Sequence, residues 1–302
     1  MNDYYKSVVK LLIDSLSSIF NDDTFALKGG TAINLFHQNL PRFSVDIDLA
    51  YTNRTHDRDT ALKNISSKLS EIAVNLETKG ISTDKSRFEK DSTKLVISRA
   101  GYSVKIEVNH IFRGTLNAPV VLSLSEKAED LFMSEAEAFV LTKKELYAGK
   151  LVAALNRQHP RDLFDVKKLY ETDGISDEII ANFICYLCGG DGVFHETLNP
   201  NPKDINNLYE KDFVGMSFEE TSVEELKEVF LQLKKDVLLK LSENQKKFLL
   251  SFAKGDPDFS LSPFVNLEEY PAIKWKLQNL NIFKTKSPDA FNLQVKKLED
   301  LF

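Results

Sequence analysis

Hydrophobic and polar residues alternate in several short segments of the first half of the chain and recur at helical spacing elsewhere. Alternation predicts strands at 24–27, 45–49, 81–87, 94–99, 103–110, 119–124 and 137–141. Helical spacing predicts helices at 4–20, 59–79, 143–157 and, in the second half, 223–253, 267–280 and 288–301. The pattern therefore predicts an α+β domain at 1–174 and a helical bundle at 175–302.

The strand at 45–49 carries two acidic residues on one face. Asp46 and Asp48 are two positions apart, so both side chains point the same way, while Ile47 points to the opposite, apolar side. Two close carboxylates repel each other unless a cation lies between them, and such oxygen donors suit Mg²⁺ or Mn²⁺ bound to substrate phosphates. The alternative is a pair of surface carboxylates on an edge strand.

A glycine-rich turn precedes this strand. Gly29, Gly30 and Thr31 follow a predicted strand and begin a short helix, where backbone N–H groups can hold a phosphate. Arg42 and Ser44 form a basic, polar turn that leads into the acidic strand, and we assign them to nucleotide binding. A strand, a glycine turn, a helix and a strand with Asp-x-Asp form the arrangement found in nucleotidyltransferases of the polymerase-β type.

A third acid comes from the strand at 103–110. Ala100 and Gly101 join this strand to the one before it in a predicted hairpin. Its apolar and polar residues alternate, so Glu107 lies on the polar face and could join Asp46 and Asp48. Glu107 would then complete a metal site or take a proton from an attacking hydroxyl. A solvated glutamate on a half-exposed strand is an equally good interpretation.

Two neighbouring helices carry a second group of charges. In the helix at 143–157, Lys150 and Arg157 lie on one ridge, and Asp162 and Asp165 lie three apart in the next helix. Lys150 could neutralise triphosphate charge, with an aspartate orienting that lysine or the sugar. Ordinary charge pairs on two solvated helices explain the same spacing, and periodicity does not choose between them.

Composition limits the remaining possibilities. The 302 residues carry a net charge of −6, which argues against a globally basic nucleic-acid binder but allows a local basic groove. The segment at 1–20 lacks the features of a signal peptide, and no apolar run is long enough to span a bilayer, so we expect a soluble, cytoplasmic protein without a membrane partner. Cys185 and Cys188 form one Cys-x-x-Cys, which favours core packing over zinc or redox chemistry.

Lysines occur in close pairs in the predicted helical bundle. These pairs could hold an RNA backbone, although solvated helix faces are the commoner explanation. The pairs are Lys234 with Lys235, Lys246 with Lys247, Lys274 with Lys276, and Lys296 with Lys297.

Four sequence blocks together resemble a known family. They read K-G-G-T-A-I-N-L, R-F-S-V-D-I-D-L, a K-I-E-V strand, and E-L-Y-A-G-K-L-V-A-A-L-N-R followed by R-D-L-F-D-V. In this order, over about residues 20–172, they are similar to the AbiEii/AbiGii-type nucleotidyltransferase toxins of bacterial type IV toxin–antitoxin and phage-abortive systems, which are related to the MenT toxins. The resemblance implies a polymerase-β-like domain with a mixed sheet. It also implies transfer of a nucleotide from an NTP to an acceptor, in several cases the 3′ end of tRNA, which blocks translation.

The resemblance also assigns residues and partners. It makes Gly29, Gly30 and Thr31 the phosphate motif and Asp46 and Asp48 the metal pair. By the same likeness, Lys150 and Asp162 fall on the family's later lysine and aspartate, and a cognate antitoxin is expected. Related folds nucleotidylate proteins or small molecules such as aminoglycosides. A catalytically silent module would have lost a carboxylate or the glycine motif, and neither has been lost.

Two positions depart from the family pattern. Thr31 stands in the place of a serine, and Thr142 in the place of a lysine. Thr142 and Glu145 instead match a capping box at the start of the helix at 143–157, so we interpret Glu145 as a helix cap rather than a catalytic group.

Overall fold

The computed structural model describes residues 3–84, 88–89 and 92–302. The strands are β1 Phe25–Lys28, β2 Asp46–Tyr51, β3 Ser82–Asp84, β4 Phe88–Glu89, β5 Ser92–Arg99, β6 Tyr102–Asn109, β7 Val120–Ser123 and β8 Glu137–Val140. The helices are α1 Asp3–Ile19, α2 Gly29–Ala32, α3 Arg58–Thr78, α4 Glu126–Phe132, α5 Lys143–Arg157, α6 Pro160–Thr172, α7 Asp177–Gly189, α8 Phe194–Leu198, α9 Asn206–Asp212, α10 Val223–Lys240, α11 Glu243–Ala253, α12 Pro271–Lys286 and α13 Pro288–Glu299. A π-helical turn, Ile33–His37, continues α2. Among the described residues, no helix is both long and apolar enough to cross a membrane.

The strands form one mixed sheet in the order β3-β5-β6-β2-β1-β8-β7, with β4 paired to β5. β2 runs antiparallel to β1 and parallel to β6. The predicted hairpin joins β5 to β6 through Ala100 and Gly101, which both have positive φ, as a tight two-residue turn requires. The predicted combination of a mixed sheet and a helical second half is confirmed.

One face of the central strands is apolar and the other is polar. Ile47, Leu49 and Ile106 are fully buried, and α1 and α3 pack against the sheet. The residues that alternate with these along the strands, including Asp46, Asp48 and Glu107, are only partly buried. Because side chains alternate along each strand, burial of the apolar set leaves the acids together on the opposite face.

Three segments differ from their prediction. The helix predicted at 267–280 begins at Pro271 and ends at Lys286. The strand predicted at 81–87 covers Ser82–Asp84, and positions 85–87 lie outside the described residues. The single long helix predicted at 223–253 is wrong, because the chain breaks between α10 and α11. Ser242 caps α11 and forms a capping box with Gln245, so this serine starts a new helix inside an unbroken apolar pattern.

The chain divides into two compact units, and the division falls within α5. The first unit comprises Met1–Leu146 and Val214–Glu220, and the second comprises Tyr147–Phe213 and Thr221–Phe302. The boundary after residue 174, which the sequence suggested, stays a prediction.

Each unit has distinctive internal features. In the first, the backbone of the segment 214–220 is joined to the turn before β2, because Phe43 N–H donates to Met216 O and Phe218 N–H donates to Pro41 O. In the second, Cys185 and Cys188 are buried on α7 and form no disulfide, which confirms their predicted packing role.

Candidate active site

The glycine turn approaches the acidic strand so closely that side chains would collide there. Gly29 follows β1 with φ of +74°, and a Cβ on it would lie 2.5 Å from Asp48 Oδ2. A Cβ on Gly30 would lie 2.8 Å from Arg42 Nη2 and 2.9 Å from Ser44 Oγ. All three distances are shorter than real Cβ contacts. The structure therefore brings the predicted phosphate turn together with one predicted metal ligand and with both residues of the basic turn.

Thr31 connects this turn to the start of β2. Its hydroxyl is buried, donates to the backbone carbonyl of Asp46 and lies 3.0 Å from Ser44 Oγ. Asn34 adds a second link, because its side-chain amide donates to Gly30 O over 2.8 Å. The Thr31 hydroxyl thus fixes the position of Asp46, and any contact of Thr31 with a phosphate would come from its backbone N–H.

Arg42 is almost fully buried beside the glycine turn. Its guanidinium donates to Phe43 O over 2.7 Å, and the backbone of Arg42 pairs with Ser217. Five donors on a rigid planar group allow Arg42 to bind a neighbouring carbonyl and still face the turn. The predicted role of Arg42 in nucleotide binding remains a prediction, and its proximity to Gly30 is consistent with that role.

Four charged residues form one row across the sheet, which we call the charged row: Lys28 on β1, Asp48 on β2, Glu107 on β6 and Lys94 on β5. Each is the direct register partner of the next. Partners in neighbouring strands have their Cβ atoms about 5 Å apart. The row therefore brings Glu107 beside Asp48, as the alternation in the sequence suggested.

Glu107 forms ion pairs with two lysines. Its carboxylate oxygens lie 3.0 Å from Lys105 Nζ and 3.4 Å from Lys94 Nζ. Partial burial alone would raise the pKa of Glu107, but the two ammonium groups outweigh it and lower the pKa. Glu107 is therefore ionised at neutral pH. Within the part of the chain that the structure describes, no three His, Cys, Asp or Glu side chains are grouped so that they could hold a metal ion.

Lys28 is a member of the charged row that sequence analysis did not assign to the site. Burial lowers the pKa of its ammonium, and the negative charges of Asp48, Glu107 and Glu145 counteract this only in part. The sequence signal for this role is the position of Lys28 directly before the glycine turn. Lys28 places an amine at one end of the row, directly opposite Asp48.

The interpretation of Glu145 as a helix cap is wrong. The Glu145 side chain is buried and accepts hydrogen bonds from the backbone N–H groups of Leu116, at 2.9 Å, and Asn117, at 3.0 Å. Thr142 Oγ1 is buried and has no hydrogen-bond partner among the described residues. Glu145 therefore anchors the loop before β7 instead of closing a capping box with Thr142. Because Glu145 and the residues it binds are almost thirty positions apart, no local sequence pattern predicts this contact.

The remaining predicted residues form a separate cluster within the second unit. Lys150 Nζ lies 2.8 Å from Asp162 Oδ1 and 2.9 Å from Asp165 Oδ2. Arg157 Nη2 lies 2.8 Å from Asp162 Oδ2. The side chains of Lys150, Asp162 and Asp165 are at most 7% exposed, whereas that of Arg157 is 66% exposed. The alternative of solvated helix faces is therefore wrong for the three buried residues.

The charges in this cluster strongly favour the ionised form of Asp162. Burial by itself would raise the pKa of this carboxyl, but Lys150 and Arg157 reverse the effect and hold the pKa at about 2. His159 caps α6 by accepting from Arg161 N–H, and Pro160 occupies the first helical position, where its missing N–H costs no hydrogen bond. The start of α6 at Pro160 therefore places Asp162, in the first turn of the helix, within hydrogen-bond distance of Lys150.

The chain is similar to known proteins in both sequence and structure. A family model described as nucleotidyl transferase AbiEii toxin, type IV toxin–antitoxin system, matches residues 10–279. The structure is similar to that of MenT4, a nucleotidyltransferase toxin from Mycobacterium tuberculosis H37Rv. Its TM-score is 0.61 and its identity 13%, and the match covers 91% of this chain and 93% of that one. No curated protein sequence matches. The structural likeness establishes the fold.

Proposed function

Because the chain belongs to the AbiEii family of nucleotidyltransferase toxins of type IV toxin–antitoxin systems, we propose that it transfers a nucleoside monophosphate from an NTP to the 3′ end of tRNA. The enzyme class follows from the family, and the acceptor is our proposal from the resemblance in sequence. A blocked 3′ end prevents aminoacylation, so translation and bacterial growth would stop. The approach of the Gly29 turn to Asp48 is the observation that carries the catalytic part of this proposal.

The donors at this site fit Mg²⁺, and Mn²⁺ has similar requirements. Mg²⁺ usually binds one or two protein carboxylates and completes its shell with waters and substrate phosphates. Asp46 and Asp48 lie on one face of β2 and are only partly covered, so they match that requirement without a third protein ligand. When bound there, the metal would supply charge compensation for the triphosphate.

The residues of the chain would then divide the remaining work. Backbone N–H groups of Gly29 and Gly30 donate to phosphate oxygens, which glycine allows to come close. The acceptor hydroxyl oxygen forms a bond to the α-phosphorus, and the bond from that phosphorus to the bridging oxygen breaks, so pyrophosphate leaves. Asp48 or Glu107 accepts the hydroxyl proton, since these carboxylates lie opposite each other.

Lys150 keeps the role that the resemblance suggests, which is to offset charge at the leaving pyrophosphate. The 2.8 Å contact with Asp162 supports the companion proposal that this aspartate orients the lysine. We also propose a cytoplasmic location, where NTP and tRNA are available, and a cognate antitoxin that opposes the toxin in abortive infection.

The acceptor is tested by incubating the protein with each labelled NTP, Mg²⁺ and separated fractions of total RNA, protein and small metabolites. We expect label in the tRNA band, and nuclease digestion should locate it at the 3′ terminal nucleotide. Label found only in protein or in small molecules would replace the tRNA acceptor with one of those classes. Addition of EDTA should stop transfer, and Mg²⁺ or Mn²⁺ should restore it.

The catalytic assignment is tested with Asp48→Asn. We expect transfer to fall by at least about 100-fold, because a ligand and a charge beside the phosphates are both lost. Glu137→Gln is the matched control, since Glu137 is an exposed strand carboxylate on β8 of the same sheet. Full activity of Asp48→Asn would refute the metal assignment.

A further inference from the structure

Arg113, in the loop that follows β6, is a buried cation without an acidic partner. Only 7% of the residue is exposed, and it forms no ion pair with any described residue. Its Nη1 donates to His110 O over 2.6 Å, and Nε is buried without a hydrogen-bond partner. Nη2 also has no partner among the described residues but, unlike Nε, keeps accessible surface. Because charged side chains are almost never buried unless they are paired, this arginine lacks a counter-charge that the fold does not supply.

The loop that carries Arg113 is fixed at one edge of the sheet. β2 and β6 are parallel neighbours, so the loops that follow them leave the sheet at the same edge. Gly114 N–H donates to the carbonyl of Tyr51, the last residue of β2, over 2.8 Å. Asn109 Oδ1 accepts two backbone N–H groups of the turn, each over 2.9 Å. These bonds hold the backbone at Arg113 in place without help from its guanidinium.

Two more arginines lie beside Arg113, and we call the three residues the arginine site. Gly114 has φ of +84°, and a Cβ on it would lie 2.4 Å from the Cβ of Arg54, so only glycine lets the two loops approach this closely. Arg58 is the first residue of α3. Burial lowers the pKa of Arg113, and the like charge of Arg58 lowers it further. The site therefore brings like charges together, which an anion between them would stabilise.

Asp57 is the acidic residue next to the arginine site. Its charge acts on Arg113, but its carboxylate is already engaged as the N-cap of α3. Oδ1 accepts from Thr60 N–H over 2.8 Å, and Oδ2 accepts from Thr60 Oγ1 over 2.9 Å. Asp57 is also exposed, so its field is weakened by water. This carboxylate therefore does not provide the missing partner of Arg113.

We propose that the arginine site binds a phosphate group. Guanidinium groups donate several hydrogen bonds in a fixed plane and suit the oxygens of a tetrahedral oxyanion that carries more than one negative charge. Nη2 of Arg113 is the atom through which the ligand would contact the buried guanidinium. A neutral or apolar ligand would leave the charge of Arg113 uncompensated.

This phosphate differs from those that we place at the glycine turn. Gly29 lies against Asp48, whereas Phe25, at the other end of β1, pairs with Tyr51. Asp48 and Tyr51 are three residues apart on β2, which separates them by about 10 Å. The phosphate at the arginine site therefore belongs to a nucleic-acid backbone or to a separate small phosphate compound, and the chemistry of recognition is the same for both.

Isothermal titration calorimetry with inorganic phosphate tests the site in the full chain, without metal and at constant ionic strength. We expect saturable binding to the wild type and no measurable binding to Arg113→Met. Arg113→Lys keeps the charge but loses the planar group of donors, so it should bind phosphate about tenfold more weakly. Unchanged phosphate affinity in either variant would overturn the proposal.

Thermal unfolding in phosphate-free buffer separates a binding role of Arg113 from a structural one. Methionine replaces an uncompensated buried charge with an apolar side chain, so Arg113→Met should unfold at the same temperature as the wild type or higher. Phosphate should raise the midpoint of the wild type and not that of the variant. A lower midpoint together with an unchanged response to phosphate would assign Arg113 to the fold alone.

Arg58→Gln and its control locate the binding at the start of α3. Lys63→Gln is the matched control, since Lys63 and Arg58 are both exposed cations of this helix. We expect Arg58→Gln to weaken phosphate binding by about fivefold, because one charged hydrogen-bond donor is lost, and Lys63→Gln to leave it unchanged. Equal weakening by the two variants would mean that phosphate responds to general surface charge, which would refute the site.

The source of the phosphate is identified by comparing three probes with the wild type and with Arg113→Lys. An oligoribonucleotide without terminal phosphates, AMP and inorganic phosphate should each bind more weakly to the variant. Tightest binding of the oligoribonucleotide would indicate a nucleic-acid backbone, and tightest binding of AMP or inorganic phosphate would indicate a small phosphate compound. Acetate that bound as tightly as phosphate would contradict the assignment to phosphate.

The proposal does not depend on nucleotidyl transfer, and the two can fail separately. Asp48→Asn should lose transfer and bind inorganic phosphate as the wild type does. If Asp48→Asn instead altered phosphate binding as much as Arg113→Lys, the anion would lie at the glycine turn and the arginine site would be refuted. Full transfer activity in Asp48→Asn with normal phosphate binding would contradict only the proposed metal site.

Discussion

Replacing Lys150 with methionine tests the buried charge cluster of the second unit. The Lys150→Met change keeps the length of the side chain and removes the ammonium that contacts Asp162 at 2.8 Å and Asp165 at 2.9 Å. The two carboxylate side chains are 5% and 1% exposed, so water cannot replace that ammonium. Removing one partner of a buried ion pair costs about 3–5 kcal/mol. We expect a loss of that size in the free energy of unfolding.

The stability that this cluster contributes also depends on pH. The pKa of Asp162 is lowered from 3.8 to about 2. Each pKa unit corresponds to about 1.4 kcal/mol, so the shift contributes about 2 kcal/mol of stability. Because the folded pKa is the lower one, this stability is present above about pH 4 and is lost as the pH falls through about 2. In Lys150→Met this pH dependence should become shallower, since Lys150 is the main group that lowers the pKa of Asp162 and the remaining Arg157 is largely exposed.

The assay is urea unfolding followed by far-ultraviolet circular dichroism, at neutral pH and at several acidic pH values. Lys246→Met is the matched control, because Lys246 pairs with Glu243 on the surface of α11 at 2.9 Å and such pairs contribute less than about 1 kcal/mol. Asp165→Asn, alone and combined with Lys150→Met, completes a double-mutant cycle. If Lys150→Met were no more destabilised than Lys246→Met, the buried ion pairs would not stabilise the fold to the extent that their burial and short distances predict.

Three further changes test other features of the structure. Gly29→Ala and Gly80→Ala both force alanine into positive φ, which should cost about 1 kcal/mol at Gly80 and more at Gly29, where the new Cβ would also collide with Asp48. Only Gly29→Ala should also abolish transfer, because its Cβ would lie 2.5 Å from Asp48 whereas the Cβ on Gly80 meets nothing within 4 Å; equal activities would contradict this approach. Ser242→Ala should lower the free energy of unfolding by about 1 kcal/mol, and no change in urea denaturation would argue against the cap. Glu107→Gln should lower transfer without changing the thermal midpoint, since its lysine partners are partly exposed, and normal transfer would remove Glu107 from the catalytic set.

Features that depend on residues close in sequence could be predicted from the chain alone. The limits of α5 agree with the prediction, because its apolar spacing and the following Pro160 are local signals. The placement of Asp46 and Asp48 on one face of a strand follows from alternation and needs no tertiary information. The pairing of β5 with β6 is also local, since two residues with positive φ join them.

Features that depend on contacts between distant segments could not be predicted in this way. Glu145 matches a capping box in sequence, yet its carboxylate binds backbone N–H groups of a loop almost thirty residues earlier. The sequence from 223 to 253 is apolar at helical spacing throughout, and only the capping chemistry of Ser242 marks the break. In both cases a local pattern fits two structures, and packing chooses between them.

The two charged clusters contain similar residue types but should respond differently to mutation. The acids of β2 and β6 are partly exposed and lie beside lysines on a sheet face, so their replacement should affect ligands more than folding. Lys150 and its two aspartates are buried, so their replacement should first affect stability. Loss of transfer in Asp48→Asn therefore reports on chemistry directly. Loss of transfer in Lys150→Met supports the proposed role at the pyrophosphate only when it is measured at a temperature where the variant remains folded.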